Sequence, residues 1–289
     1  MAKQMYRYKA TVEYFGPMYC GMQRQPQLIG KKTVQGELEM ALSKFYSTPI
    51  TIDYCGRTDS GVHAYGQVIH FDAPDERPAS SIIMGTQLYL GEKNRISITD
   101  AVRVDSDFHS RYSAKKRFYV YKILNRLARP TIEKDTHYHM KYAMNVEAMA
   151  QAAKCLVGTH DFTSFRSADC QSKTPIRHID EIKIVSSPLK AIGATHASEA
   201  NISKNWGDAE CNTNYECGFE PKEILIYVSG VSFLHHMVRN IVGTLIETGK
   251  DEPFNKPISW VEDILKMKDR TKAGVMVPAH GLYLVKAEY

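Results

Sequence analysis

The sequence predicts an α+β fold: two similar domains, each with a mainly antiparallel sheet and helices on one face, meeting in a basic cleft. Three observations lead there. Strand-like alternation and helical periodicity are interspersed without the strict βαβ order of a parallel sheet. The style of the first half, residues 1–106, is repeated in the second, residues 107–289. Between Phe108 and Ile132 there is no Asp or Glu, while Arg111, Lys115, Lys116, Arg117, Lys122, Arg126 and Arg129 fall there among Phe108, Tyr112, Phe118, Tyr119 and Tyr121.

The elements follow in order. Arg7–Tyr14 reads as a strand with Ala10, Val12 and Tyr14 on one face and Lys9, Thr11 and Glu13 on the other. Val34–Phe45 reads as a helix capped by Thr33, with Val34, Leu38, Ala41, Leu42 and Phe45 inward. Ile50–Tyr54 and Gln67–Asp72 are strands, Ser81–Leu90 a weaker helix and Ile96–Val104 a strand. Arg117–Leu124 opens the second half as a strand. A helix over Met144–Val157 points Val146, Met149, Ala150, Ala153 and Val157 inward and stops at Gly158. Strands at Ile182–Val185 and Ile224–Ser229 precede a helix over Phe233–Thr248. Ser259 and Glu262 form a capping box for a helix through Lys268. Leu282–Ala287 closes the series. The polar stretch from Gly193 to Glu220 exceeds the length of most loops and reads as an insert at about 193–220.

Composition narrows the function. With 43% hydrophobic and 24% charged residues the chain is of ordinary globular character. No apolar run approaches the ~20 residues of a membrane span, and Met1–Lys9 has no apolar core of a signal peptide. The cysteines at 20, 55, 155, 170, 211 and 217 form no C-x-x-C pair, so reduced thiols and a cytoplasmic location are expected. The net charge of +5 is mild. The acid-free basic stripe, interleaved with aromatics, suits either a polyanion carrying stackable bases or a solvated face.

The densest chemistry lies in Cys55-Gly56-Arg57-Thr58-Asp59-Ser60-Gly61-Val62-His63-Ala64, between two strands. Its glycines permit a tight loop. An Asp there can be a nucleophile, a base or a metal ligand, and the same run can also be a hydrogen-bonded turn. A metal is not expected. His235 and His236 are adjacent on a helix and face apart, and His137 and His139 lack a third ligand.

The run from Gly56 to Ala64, continuing to Gly66-Gln67-Val68-Ile69-His70-Phe71, resembles the signature of the tRNA pseudouridine synthase A family. Further segments resemble it in order: Gly21-Met22-Gln23-Arg24-Gln25, Thr33-Val34-Gln35, Phe108-His109-Ser110-Arg111-Tyr112-Ser113-Ala114 and Tyr119-Val120-Tyr121. After these come Asp161 to Arg166, Cys170 to Pro175, Phe233 to Gly243 and Gly281 to Val285. The resemblance covers essentially the whole chain. Phe15 stands where the family usually has Asp, and Met22 where it has Trp.

The resemblance implies isomerisation of uridine to pseudouridine in the anticodon arm of tRNA, at positions 38, 39 and 40, by a homodimer needing no cofactor or metal. It assigns Asp59 as the catalytic carboxylate, which can trap the sugar at C1′, add to the ring at C6 or deprotonate at C2′. A carboxylate ionised in a closed pocket needs a fixed cation, and Arg239 is that cation by resemblance. Tyr119 matches an active-site tyrosine that can stack on uracil or relay the C5 proton. Arg57 would fill the place of the flipped nucleotide or bind phosphate. Arg24, His63, Arg111, Lys115, Lys116 and Arg126 complete the expected substrate-binding set. The alternative is a non-catalytic tRNA-binding protein on the same scaffold.

Overall fold

The computed structural model describes residues 4–25, 30–189 and 219–289. The strands are β1 (Tyr6–Tyr14), β2 (Asp53–Tyr54), β3 (His63–Ala73), β4 (Ile96–Arg103), β5 (Lys116–Asn125), β6 (Tyr138–Met140), β7 (Gly158–Asp161), β8 (Ile176–Pro188), β9 (Lys222–Gly230) and β10 (Leu282–Glu288). The helices are α1 (Val34–Tyr46), α2 (Ala79–Leu90), α3 (Val146–Ala153), α4 (Met237–Gly249) and α5 (Ser259–Met267). None is long and apolar enough to cross a membrane.

All ten strands belong to one sheet, with the main order β4-β1-β3-β10-β5-β9-β8-β7; β2 pairs with β3 and β6 with β5. Pairing is antiparallel except at β3/β10 and β5/β6. The strands of the first half therefore join those of the second through β10, the last strand in sequence, which lies between β3 and β5. Helices α1 and α2 pack with each other, and α2 packs on β4; α3 packs on β8 and α4.

The alternation of β1 places Ala10, Val12 and Tyr14 in the core as expected. Thr33 caps α1, its Oγ1 accepting from Gly36 N–H at 3.2 Å. β3 extends well beyond the expected Gln67–Asp72. Nearly all its residues are buried, because elements cover both of its faces, so alternation marks only part of it. β8 is also far longer than Ile182–Val185; its many exposed polar residues resemble a loop in sequence.

Three helix expectations are corrected. α3 ends at Ala153 and tightens into a 3₁₀ turn over Lys154–Leu156. This rotation buries Ala152 and Leu156, while Ala150 is half-buried and Val157 exposed. α4 begins at Met237, four residues later than expected, because His236 takes a left-handed conformation (φ 63°) that breaks the helix before it. The Ser259/Glu262 capping box does not form. Ile258 is already helical, Trp260 N–H bonds the Pro257 carbonyl, and Glu262 pairs instead with Lys266 at 2.5 Å. The expected insert, residues 193–220, lies almost wholly outside the described residues, as do Cys211 and Cys217. The described residues on either side are close: Leu189 N–H donates to the Pro221 carbonyl at 2.9 Å.

Candidate active site

The loop between β2 and β3 carries Asp59 and is held at almost every residue. Asp59 O accepts from Val62 N–H at 3.1 Å, and Gly61 has φ +84°, the arrangement of a type II turn. Thr58 Oγ1 lies 2.7 Å from Tyr14 Oη, and the Thr58 carbonyl accepts from Met22 N–H at 3.1 Å. Gln67 Nε2 donates to the Gly56 carbonyl at 2.9 Å. Gly21, at φ +85°, lets its chain pass so close that a β-carbon would stand 2.7 Å from the Thr58 carbonyl oxygen. The loop is thus a hydrogen-bonded turn that also carries the Asp59 carboxylate.

Asp59 meets residues from the start of α4. Arg239 Nη1 lies 3.0 Å from Asp59 Oδ2, and Arg239 Nε donates to the Val277 carbonyl at 2.9 Å. Arg239 is 8% exposed, so its charge is nearly removed from water and needs this partner. His235 Nε2 stands 3.4 Å from Oδ1 and His236 Nε2 3.4 Å from Oδ2. Burial alone would push the Asp59 carboxyl up; His235, the charge of His236 and Arg239 outweigh it and hold the group below the usual carboxylate range. The site is ready to present an anion to an electrophile.

Sequence reasoning missed this histidine pair. The expectation that they face apart assumed a helix through both. Because His236 is left-handed and α4 starts after it, the two rings lie 3.8 Å apart, tilted by 35°, and turn to the same carboxylate. The adjacency of His235-His236 four and three residues before Arg239 was the only signal.

Tyr119 is buried on β5, edge-on to Phe233 at 5.2 Å. A β-carbon on Gly56 would stand 3.9 Å from its hydroxyl oxygen, which puts that hydroxyl against the Asp59 loop. Burial pushes its pKa up, so it stays protonated. Arg57, in the same loop two residues before Asp59, is exposed, with Nη1 3.3 Å from Gln171 Oε1.

The remaining expected substrate contacts do not gather at Asp59. His63 is 2% exposed. Its Nδ1 accepts from Gly16 N–H, while Nε2 reaches the Asp135 and His280 carbonyls at 3.0 and 3.1 Å, and the ring stacks on Tyr283 at 4.3 Å. Burial depresses its pKa to about 4, so it is a neutral histidine held in the core by these contacts. Arg24 turns to α1 and pairs with the buried Glu39 at 2.9 Å. Lys116 pairs with Asp180 at 3.5 Å and Arg126 with Glu133 at 3.6 Å. Arg126 lies seven residues along from Tyr119, roughly 23 Å at strand rise. Arg111 and Lys115 are exposed. Arg117, in the same stripe, is buried and structural.

A second cluster, Asp53, His70 and His109, has the spacing of a metal site. Ser110 N–H donates to His70 Nδ1 and Arg111 N–H to His109 Nδ1. These bonds make Nδ1 the acceptor of each ring and leave Nε2 as the N–H side facing Asp53, with no lone pair there.

A half-buried, cation-held carboxylate on a fixed loop, with a tyrosine and an exposed arginine close by, is an arrangement suited to nucleophilic or base chemistry. A family model described as tRNA pseudouridine synthase matches residues 10–113 and 152–289. The chain belongs to the tRNA pseudouridine synthase family. Relatives named "tRNA pseudouridine synthase A" are 41% identical over 98% of this chain and 100% of the relative in Anaplasma phagocytophilum, and 38% identical over the same shares in Ehrlichia canis. One from Shewanella piezotolerans is 39% identical over 96% of this chain and 91% of its own length.

Proposed function

We infer that this chain isomerises uridine to pseudouridine in tRNA, with Asp59 as the reacting carboxylate. The observation that carries the reading is the Arg239–Asp59 pair at 3.0 Å, which brings together the two motifs of the resemblance from opposite halves of the chain. In the isomerisation the N1–C1′ bond breaks, the uracil turns and C5 bonds to C1′. C5 loses its proton and N1 gains one, so no oxidant or reductant enters. An ionised Asp59 supplies an electron pair to the nucleotide in any of the three routes named above. Tyr119, protonated and against the Asp59 loop, is suited to stack on the base or to carry the C5 proton. Arg57, exposed on the same loop, is suited to take the place of the extruded base.

The finer reading is action at positions 38, 39 and 40 of the anticodon arm, by a cytoplasmic homodimer, with domains divided at 106/107. Arg111, Lys115 and Arg129 are the exposed cations of the stripe and so the most available to phosphate. The test is incubation with unmodified tRNA followed by pseudouridine mapping. Wild type should modify anticodon-arm uridines, while Asp59→Asn should bind tRNA within about tenfold and form less than ~1% of the product. Binding by wild type with no pseudouridine formed would favour the non-catalytic reading instead.

A further inference from the structure

We propose that His235 and His236 are positioning residues of the catalytic carboxylate, forming with Arg239 a three-sided clamp that fixes both oxygens of Asp59. The proposal rests on the reading of Asp59 as the reacting group and deepens it. Arg239 alone touches only Oδ2. Oδ1 faces His235 at 3.4 Å, and His236 adds a second contact to Oδ2, also at 3.4 Å. The clamp therefore resists rotation of the carboxylate about its own axis, which a single cation cannot do.

Backbone strain is an independent observation. His236 has φ 63° and ψ 3°, a left-handed conformation that is unfavourable for a residue with a β-carbon. Without it His235 and His236 would diverge. With it their rings lie 3.8 Å apart and meet one carboxylate. The turn is held from both sides: His235 O accepts from Ser167 N–H at 3.1 Å, and His236 O from Asn240 N–H at 3.0 Å. A strained turn maintained for this convergence is the pattern of a functional site.

Charge assigns different roles to the two rings. The groups facing them are Asp59, Asp169 and Arg239, besides each other. Contact with Asp59 raises the His235 pKa, against partial burial. Burial, with the neighbouring cations, lowers that of His236 despite Asp59. Two rings in contact do not readily both carry charge, so these opposed shifts favour the cationic form at His235 over His236. The same spacing would admit a divalent cation, but the Arg239 guanidinium on Oδ2 repels one.

A positioned imidazolium leaves a signature that packing does not. His235→Gln keeps a side-chain donor and loses the charge, so Asp59 becomes harder to ionise. The acid limb of single-turnover pseudouridine formation should move up by about one pH unit, roughly tenfold in rate on that limb, with tRNA affinity within twofold. The imidazole of His235, followed by NMR in the intact protein, should titrate at lower pH in Asp59→Asn than in wild type, because the coupling is reciprocal. This second measurement needs no activity, and so separates failure of the clamp from failure of Asp59 as the reacting group. His235 titrating identically in both proteins, or a His235→Gln profile lowered equally at every pH, would overturn the proposal.

Discussion

Arg117 Nε and Nη2 both donate to the Cys55 carbonyl, at 3.3 and 2.9 Å, at the very start of the loop that carries Asp59. The same guanidinium donates to the carbonyls of Ala114 at 3.2 Å, Val231 at 2.6 Å and Arg111 at 2.7 Å. A residue that reads in sequence as part of a nucleic-acid stripe is thus a buried bracket, tying the β2–β3 loop to two other segments. Arg117→Met should destabilise the fold by about 3 kcal/mol, because the carbonyls lose a charged donor in a site water cannot fill. Urea unfolding measures this, and an unchanged midpoint would contradict it.

Arg239→Leu should be inactive and should destabilise by roughly 3–5 kcal/mol at neutral pH, since Asp59 would be left partly buried with weaker compensation. Thermal melting and pseudouridine assays check the two effects separately. Full activity in the Leu variant would show that the ion pair is dispensable.

His63 gives the stability a pH dependence of defined sign. Its folded pKa of about 4 lies below the unfolded value near 6.5. The neutral ring therefore contributes stability above about pH 6.5, and that contribution is lost as the pH falls towards 4, about 3 kcal/mol in all. His70 and His280 are shifted in the same direction, chiefly by burial. Denaturant midpoints between pH 8 and 4 should show the decline, and His63→Asn should flatten most of it. A slope unchanged in that variant would locate the effect elsewhere.

The basic stripe should divide by ion pairing. Neutralising Arg111 and Lys115 should reduce the salt slope of tRNA binding by up to ~0.7–0.9 log units per phosphate contact removed. Neutralising Lys116 and Arg126, already paired with Asp180 and Glu133, should reduce it less. Equal effects from the two pairs would mean that these ion pairs open when tRNA binds.

Replacing residues 193–218 with a short Gly-Ser turn should keep the fold, because β8 and β9 remain in register up to Pro188 and Lys222 at the points where the segment leaves and returns. A loss beyond about tenfold in kcat/KM, roughly 1.4 kcal/mol, would instead assign the segment, with Trp206, to gripping the substrate.

These residues show what a sequence discloses. Thr33 and the β1 alternation were legible because cap and pleat are local, fixed within a few residues of chain. Asp59 and Arg239 were legible through the resemblance, although they lie 180 residues apart. The roles of His63, Arg24 and Arg117 were not, because a charged or titratable side chain looks the same whether it faces water, an ion pair or a ring of carbonyls. The histidine pair was hidden for another reason: one left-handed residue reverses where two side chains point.

The place of β10 in the sheet bears on how the protein comes into being. β3 and β5 are held together through a strand that the ribosome makes after both of them. While synthesis proceeds, at roughly 5–20 residues per second, the first half waits with the β3 edge unzipped and Asp59 without Arg239. The nascent chain therefore carries the Asp59 carboxylate without its counter-charge for most of its translation. A chaperone that shelters the open β3 edge, until β10 emerges and closes it, would act at the most vulnerable point of assembly.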